Sequence, residues 1–308
     1  MKRGWWSTLA LVLIGHAVNA QSVPCLGDGD ENGEVTVDEI VTTVNNALVG
    51  CALEPVTIQF QGMVGDEPFA CGQLYENIGL SSETILPADF RLYLYDVRLI
   101  DATGRETPLA LVQDGRWQYR EVALLDFENK TPPCNQGTVQ TNGEIHGEVP
   151  AGSYRGIRFK LGLPFDLNHA DASTAPSPLS LTAMFWSWRA GYKFLRIDDG
   201  RDLVRVHIGS TACVGPNPAT TLRCDRLNVG EIYLPDYQPG DRIIADLKAL
   251  FADSDLSVNT PNTVPGCESA PQDEDCDPIF RSLGINFANG LPDASHQTFF
   301  RVEGAVER

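Results

Sequence analysis

The residues best suited to chemistry form two groups of different kinds. Asp28, Asp30, Asn32, Glu34, Thr36 and Glu39 lie in one twelve-residue stretch, DGDENGEVTVDE. It fits the EF-hand calcium pattern at each defining position. Asp28, Asp30 and Asn32 supply side-chain oxygens at positions 1, 3 and 5, and Gly33 takes the sharp bend. The Glu34 carbonyl serves position 7, Thr36 position 9, and Glu39 the bidentate carboxylate at position 12. A hard cation needs that many oxygens, and the bend wraps them around one ion. The bland alternative is a solvated acidic turn.

The second group is defined by scarcity. Lys2 and Arg3 precede an apolar run over Ser7–Val18, and Val18-Asn19-Ala20 offers small residues at a cleavage site. This is the pattern of a secretory signal peptide over residues 1–20. Its removal leaves His146, His169, His207 and His296 as the only histidines, Met63 and Met184 as the only methionines, and Trp117, Trp186 and Trp188 as the only tryptophans. Imidazole suits copper, and a thioether favours Cu(I). His169 sits in a turn-like Asn168-His169-Ala170-Asp171 stretch, and His207 ends a strand shortly before Cys213. His296 lies in a polar segment before the last strand and His146 within a strand, where a surface role is the plainer reading. Trp117 reads as packing.

The elements that must hold these residues follow from periodicity. After the calcium loop, Ile40, Val41, Val44, Ala47 and Leu48 recur at helical spacing. Pro24 and Gly27 leave no room for an entering helix. The module over 21–54 therefore resembles a single dockerin-type calcium repeat, closed by Cys25–Cys51. From Pro55 to 308 the dominant period is two, as in Val56–Gln61 and Phe90–Leu99, with further runs around Glu144–Val149, Tyr154–Leu161, Leu203–Ile208, Glu231–Leu234 and Phe299–Val306. The pattern predicts a mainly β chain, an antiparallel β-sandwich or barrel. One short helix is expected over Pro178–Ala190, with Ser177-Pro178 opening it and Gly191 closing it. On that helix Met184 and Trp188 share a face.

Length, charge and cysteines set the frame. The 308 residues, 43% hydrophobic, suit one domain of roughly 250 residues plus a small module. With 23 basic against 41 acidic residues, the net charge of −18 argues against a nucleic-acid partner. No stretch after the leader is long and apolar enough for a transmembrane segment. Eight cysteines in an exported chain read as disulfides. Their number leaves the connectivity open, but local spacing favours Cys25–Cys51, Cys213–Cys224 and Cys267–Cys276, with Cys71–Cys134 remaining. Without a Cys-x-x-Cys pair, a thiolate zinc site is not expected. The chain also lacks a Gly-x-Ser-x-Gly elbow, a His-Glu-x-x-His motif, a phosphate-binding glycine loop and a Cys-x-x-Cys-His haem attachment, so an enzyme is not expected.

A longer resemblance covers Val56 to Val306. The stretch 179–197 (LSLTAMFWSWRAGYKFLRI), preceded by 163–171 (LPFDLNHAD), closely resembles the MbnP-like copper-protein family. Phe60-x-Gly62, Cys71-Gly72, 90–98 (FRLYLYDVR), Val149-Pro-Ala-Gly152 and 207–213 (HIGSTAC) support it. The resemblance implies a periplasmic or cell-surface copper-binding protein with a MauG-like di-haem partner that oxidises one tryptophan to kynurenine. Copper-ligand candidates are His169, His207, Met184 and His296, and kynurenine candidates are Trp186 and Trp188. The competing expectation is a calcium-stabilised surface adhesion or binding module without copper.

Overall fold

The computed structural model describes residues 27, 34–49, 52–187, 189–215 and 222–303. The expected leader over 1–20, loop positions Asp28, Asp30 and Asn32, the Cys25–Cys51 pair and Trp188 lie outside them. The chain divides into two units, Met1–Ala52 and Leu53–Arg308.

In the first unit, α1 spans Val37–Val49. Thr36 and Glu39 cap it reciprocally. The Glu39 carboxylate accepts from the Thr36 backbone N–H at 2.7 Å and from its hydroxyl at 2.8 Å, and Thr36 Oγ1 accepts from the Glu39 N–H at 3.3 Å. Two otherwise unpaired backbone donors are satisfied in this way. Asp38 and Glu39 in the first turn also complement the helix dipole.

The second unit is built on two sheets. Alternating apolar residues bring its strands together as β1 (Leu53–Val64), β2 (Pro87–Asp101), β3 (Val122–Asp126), β4 (Glu144–Pro150) and β5 (Tyr154–Leu161). Then follow β6 (Phe185–Ser187), β7 (Gly191–Tyr192), β8 (Leu195–Asp199), β9 (Arg205–Ile208), β10 (Thr211–Val214) and β11 (Arg223–Arg226). The last are β12 (Gly230–Leu234), β13 (Arg242–Asp246), β14 (Gly266–Cys267) and β15 (Phe300–Glu303). One sheet runs β15-β13-β1-β4, extended by Ala110–Leu111 and a short return at Glu67–Pro68. The other runs β12-β5-β2-β8-β9-β14, with β3 and Glu106–Pro108 also on β2. Both sheets are open and mostly antiparallel, as expected. The exceptions are two parallel pairings, β1 with β13 and β9 with β14.

The main core includes Ile58 and Phe60 from one sheet and Phe90, Leu92, Leu94, Leu195, Ile197, Val206 and Ile208 from the other. Because side chains alternate along a strand, the intervening residues of β2, β3, β8 and β9 point to the outer face of the second sheet. That face is covered too. Tyr93, Leu124 and Phe194 join Leu163, Leu167, Leu179, Met184 and Tyr192 in a second apolar cluster.

The cover over 178–192 is not the expected helix. It is a 3-10 turn at Thr182–Met184 followed by the β6–β7 hairpin, where Phe185 pairs with Tyr192 and Ser187 with Gly191. Tertiary contacts override the capping signals. Tyr93 and Tyr192 hydroxyls donate to the Pro178 and Leu179 carbonyls at 3.0 and 2.6 Å. Lys193 Nζ and Arg196 Nη1 both donate to the Ala183 carbonyl, at 2.9 and 2.8 Å. These sheet side chains take carbonyls that a helix would need for its own hydrogen bonds.

Cys71–Cys134, Cys213–Cys224 and Cys267–Cys276 are disulfide-bonded; local spacing anticipated the last two, and the first is the pair that remained. Such bonds suit an extracellular or periplasmic compartment. Among the described residues no helix is long and apolar enough to cross a membrane.

Candidate metal centre

The outer face of the second sheet carries a row of buried charge. Asp126 on β3 pairs in register with Arg91 on β2, Arg91 with Arg196 on β8, and Arg196 with His207 on β9. Two residues along each strand sit opposite charges on the same face. Asp89 binds Arg91 through Nε at 2.8 Å and through Nη2. It also takes Arg196 Nε at 3.1 Å, and Asp198 takes Arg196 Nη2 at 2.7 Å. Arg91 and Arg196 are thus fixed by carboxylates.

His207 ends the row, 6% exposed. Its Nε2 lies 2.7 Å from Asp198 Oδ1. On the other side, Glu268 Oε1 approaches Nδ1 to 3.3 Å without the geometry of a hydrogen bond, leaving that buried nitrogen without a partner. Burial favours a protonated Asp198. The His207 hydrogen bond and charge and the Arg196 guanidinium outweigh it and hold the carboxyl well below the usual carboxylate range. The adjacent imidazole, joined by Arg205 and opposed by burial, also holds Glu268 below its ordinary value. An anionic Asp198 accepts the Nε2 proton, and Nδ1 faces a second carboxylate, Glu268. A metal held at Nδ1 would have the Glu268 carboxylate within reach as a second donor.

Trp186 stands beside the His207 ring. Its ring centroid is 6.3 Å from that of His207, and Lys193 Nζ lies 5.8 Å above the indole. Gly209 makes room for it, since a Cβ there would meet the Trp186 ring and the Tyr192 carbonyl at 2.6 Å. Burial pushes the Lys193 ammonium down to about 8, with Arg196 adding to the shift. Trp186, Arg189, Ser210, Thr211, Cys213 and Glu268 line a cleft of about 370 Å³ that opens to solvent.

His169 follows α2 (Phe165–Asn168) and is 5% exposed. Asn168 fixes its setting. The Asn168 Oδ1 accepts from the Tyr192 N–H at 2.8 Å, which turns Nδ2 toward His169 Nε2 and Ser210 Oγ, each at 3.2 Å. Gly191, at φ +79°, leaves space for that amide, because a Cβ would fall 2.3 Å from Asn168 Oδ1. Nε2 is therefore the unprotonated nitrogen of His169, and Cys224 Sγ lies 3.4 Å from it.

The structure thus brings His207 and Trp186 together and ties His169 to the same face through Asn168 and Ser210. Met184 is fully buried in the second apolar cluster. His296 is on the surface beside Asp293 and Ser295, and His146 beside Glu144 and Thr57. Asp198, Glu268, Lys193 and Arg196 escaped the sequence reading. The Arg196-x-Asp198 spacing on a strand was the available signal for two of them.

Comparison with known proteins fits this geometry. The protein-family model described as MbnP matches residues 53–269, from the start of β1 through Glu268. Among solved structures, "MbnP from Methylosinus trichosporium" superposes with a TM-score of 0.73 at 31% sequence identity, covering 83% of this chain and 100% of that one. A search of curated proteins finds no match. The matched span contains every residue of the His207 cluster and every strand of both sheets except β15, and the chain belongs to the MbnP family.

Proposed function

We propose that this is an exported copper-binding protein rather than an enzyme, holding copper on the outer face of the second sheet. The observation that carries the reading is the buried Nδ1 of His207, which makes no hydrogen bond of regular geometry, lies 3.3 Å from the Glu268 carboxylate and belongs to a ring packed near Trp186. Imidazole nitrogen and carboxylate oxygen are donors copper accepts. The Asp198 contact at Nε2 is the outer-shell support that ligating histidines commonly have. Copper bound there supplies a one-electron couple. Trp186 is the indole this reading assigns to conversion into kynurenine. Oxidative cleavage of the indole C2–C3 bond, with oxygen added and oxidising equivalents drawn through a MauG-like di-haem partner, followed by hydrolytic loss of C2 as formate, would add an aryl amine and a ketone to the donor set. Residues 1–20 serve as the export signal to the periplasm or cell surface, and Asp28, Asp30, Asn32, Glu34, Thr36 and Glu39 hold a structural calcium ion.

The test is metal analysis and copper titration of protein co-expressed with its di-haem neighbour, alongside intact mass and peptide mapping. The reading expects stoichiometric copper, a modified Trp186, and loss of copper in His207→Ala with the fold preserved. Protein that takes up no copper after co-expression would leave the calcium-stabilised surface module as the surviving alternative. Copper retained in full by His207→Ala would remove that residue from the site.

A further inference from the structure

We infer that the Cys213–Cys224 disulfide masks a second, thiophilic metal site completed by His169. The two cysteines face each other across the β10–β11 hairpin in direct register. His169 Nε2 and the two sulfurs all lie within 4.8 Å of one another. In the oxidised hairpin the sulfurs are spent on each other, and a disulfide is a poor metal ligand. Once reduced, they become two thiolates beside a buried imidazole.

The histidine is prepared for this role. The Tyr192 N–H fixes the Asn168 amide, and the amide donates to His169 Nε2, so the nitrogen facing Cys224 carries no proton. That is the ligating form of the ring. A metal there takes over the lone pair that now accepts from Asn168. The distances suit a single ion. Metal–sulfur and metal–nitrogen bonds of about 2.3 and 2.0 Å place donors roughly 3.5–4 Å apart around one centre. His169 Nε2 already stands 3.4 Å from Cys224 Sγ. The sulfurs reach their spacing by side-chain rotation after the bond opens.

Access distinguishes this disulfide from the other two described. Cys134, Cys267 and Cys276 are fully buried, so each of those bonds has at least one shielded sulfur. Cys213 and Cys224 are both partly exposed, and Cys213 lines the open cleft beside Trp186. The reductant is a dithiol. It passes two electrons and two protons to the Cys213–Cys224 bond and is itself left as a disulfide. Binding a divalent ion then releases the two thiol protons to solvent. Two thiolates and one imidazole select a d10 cation and leave a fourth position open.

The test uses the full chain expressed without any haem partner, with Zn2+ as the probe. Protein is reduced under mild dithiol, freed of reductant under anaerobic conditions, and titrated against a chromophoric zinc chelator. Wild-type protein should bind one zinc more after reduction than before, and one more than a reduced Cys213→Ser/Cys224→Ser double variant. His169→Ala should weaken that added site by at least about tenfold. Should His169→Ala fail to fold, His169→Gln replaces it, with circular dichroism confirming the fold of each variant. The inference is overturned if reduction adds no zinc, if the double variant keeps the added equivalent, or if a folded His169 variant binds it with unchanged affinity. Neither copper nor the partner enters the assay, so its failure is distinct from failure of the copper reading.

Discussion

The Nε2 of His207 donates across 2.7 Å to Asp198 Oδ1, and Asp198 is itself clamped by Arg196. This contact decides which nitrogen of the imidazole is available, because a strongly anionic acceptor at Nε2 leaves the lone pair at Nδ1. Asp198 therefore acts on the candidate centre as a positioning residue.

Asp198→Asn tests that role. An amide can donate to the ring as readily as accept from it, so the tautomer is no longer set. Copper affinity should fall by about 10–100-fold, the usual cost of losing an outer-shell partner. Competition titration gives the affinity, and circular dichroism checks that the fold is intact. Unchanged affinity in a folded variant would show that Asp198 does not orient the imidazole.

Asp126, at the far end of the same row, makes stability depend on pH. Burial pushes its carboxyl from 3.8 up to about 8; Arg91 opposes the shift, and Glu128 and Asp89 reinforce it. The unfolded chain loses this proton near the ordinary value, whereas the folded chain keeps it to about 8. Between those values the folded state binds more protons, so stability falls as pH rises and then levels off. Asp126→Asn cannot ionise. Its unfolding midpoint should gain on wild type steadily from about pH 4 to pH 8, as followed by denaturant titration. A difference that stays constant across that window would contradict the assignment.

Gly209 governs where Trp186 rests. Adding a Cβ at Gly209 forces either the indole or the Tyr192 backbone to move, since both lie 2.6 Å from it. Gly209→Ala should cost about 1–3 kcal/mol, as overpacking does. In a domain of this size that lowers Tm by about 2–4 °C per kcal/mol. Quenching of Trp186 fluorescence should change with it, measured in a Trp117→Phe/Trp188→Phe background. A wild-type spectrum and Tm would mean that the indole is not seated on this glycine.

The strands were legible because apolar alternation survives in every long run. Phe90, Leu92 and Leu94 face the main core as expected. What alternation does not reveal is whether the opposite face is wet. Arg91 and Arg196 stand on the face opposite the core residues, yet they are 0% and 9% exposed, Arg91 against Asp89 and the Gln136 carbonyl and Arg196 under the Ala183 carbonyl. The same blind spot hid Asp198 and Glu268, which become site residues only when β8, β9 and β14 line up. Local spacing anticipated Cys213–Cys224 because a short loop returns the chain to its own neighbour. It misjudged Pro178–Ala190 because Tyr93, Tyr192, Lys193 and Arg196 take backbone carbonyls there, and a helical pattern read along the chain contains none of those contacts.

Glu39 has two uses that compete. At loop position 12 the calcium pattern asks its carboxylate to bind the ion through both oxygens. In the structure the same group closes the capping box on Thr36, at 2.7 and 2.8 Å. Glutamine serves in a capping box as well as glutamate does, but it has no anionic oxygen pair for calcium. Glu39→Gln should therefore keep α1 helical while sharply weakening calcium binding. Thr36→Ala should instead cost about 0.5–2 kcal/mol of helix stability through loss of the cap. Calorimetric calcium titration and far-ultraviolet circular dichroism separate the two effects. If Glu39→Gln binds calcium as tightly as wild type, this carboxylate contributes to the helix cap alone, and the loop is a solvated acidic turn.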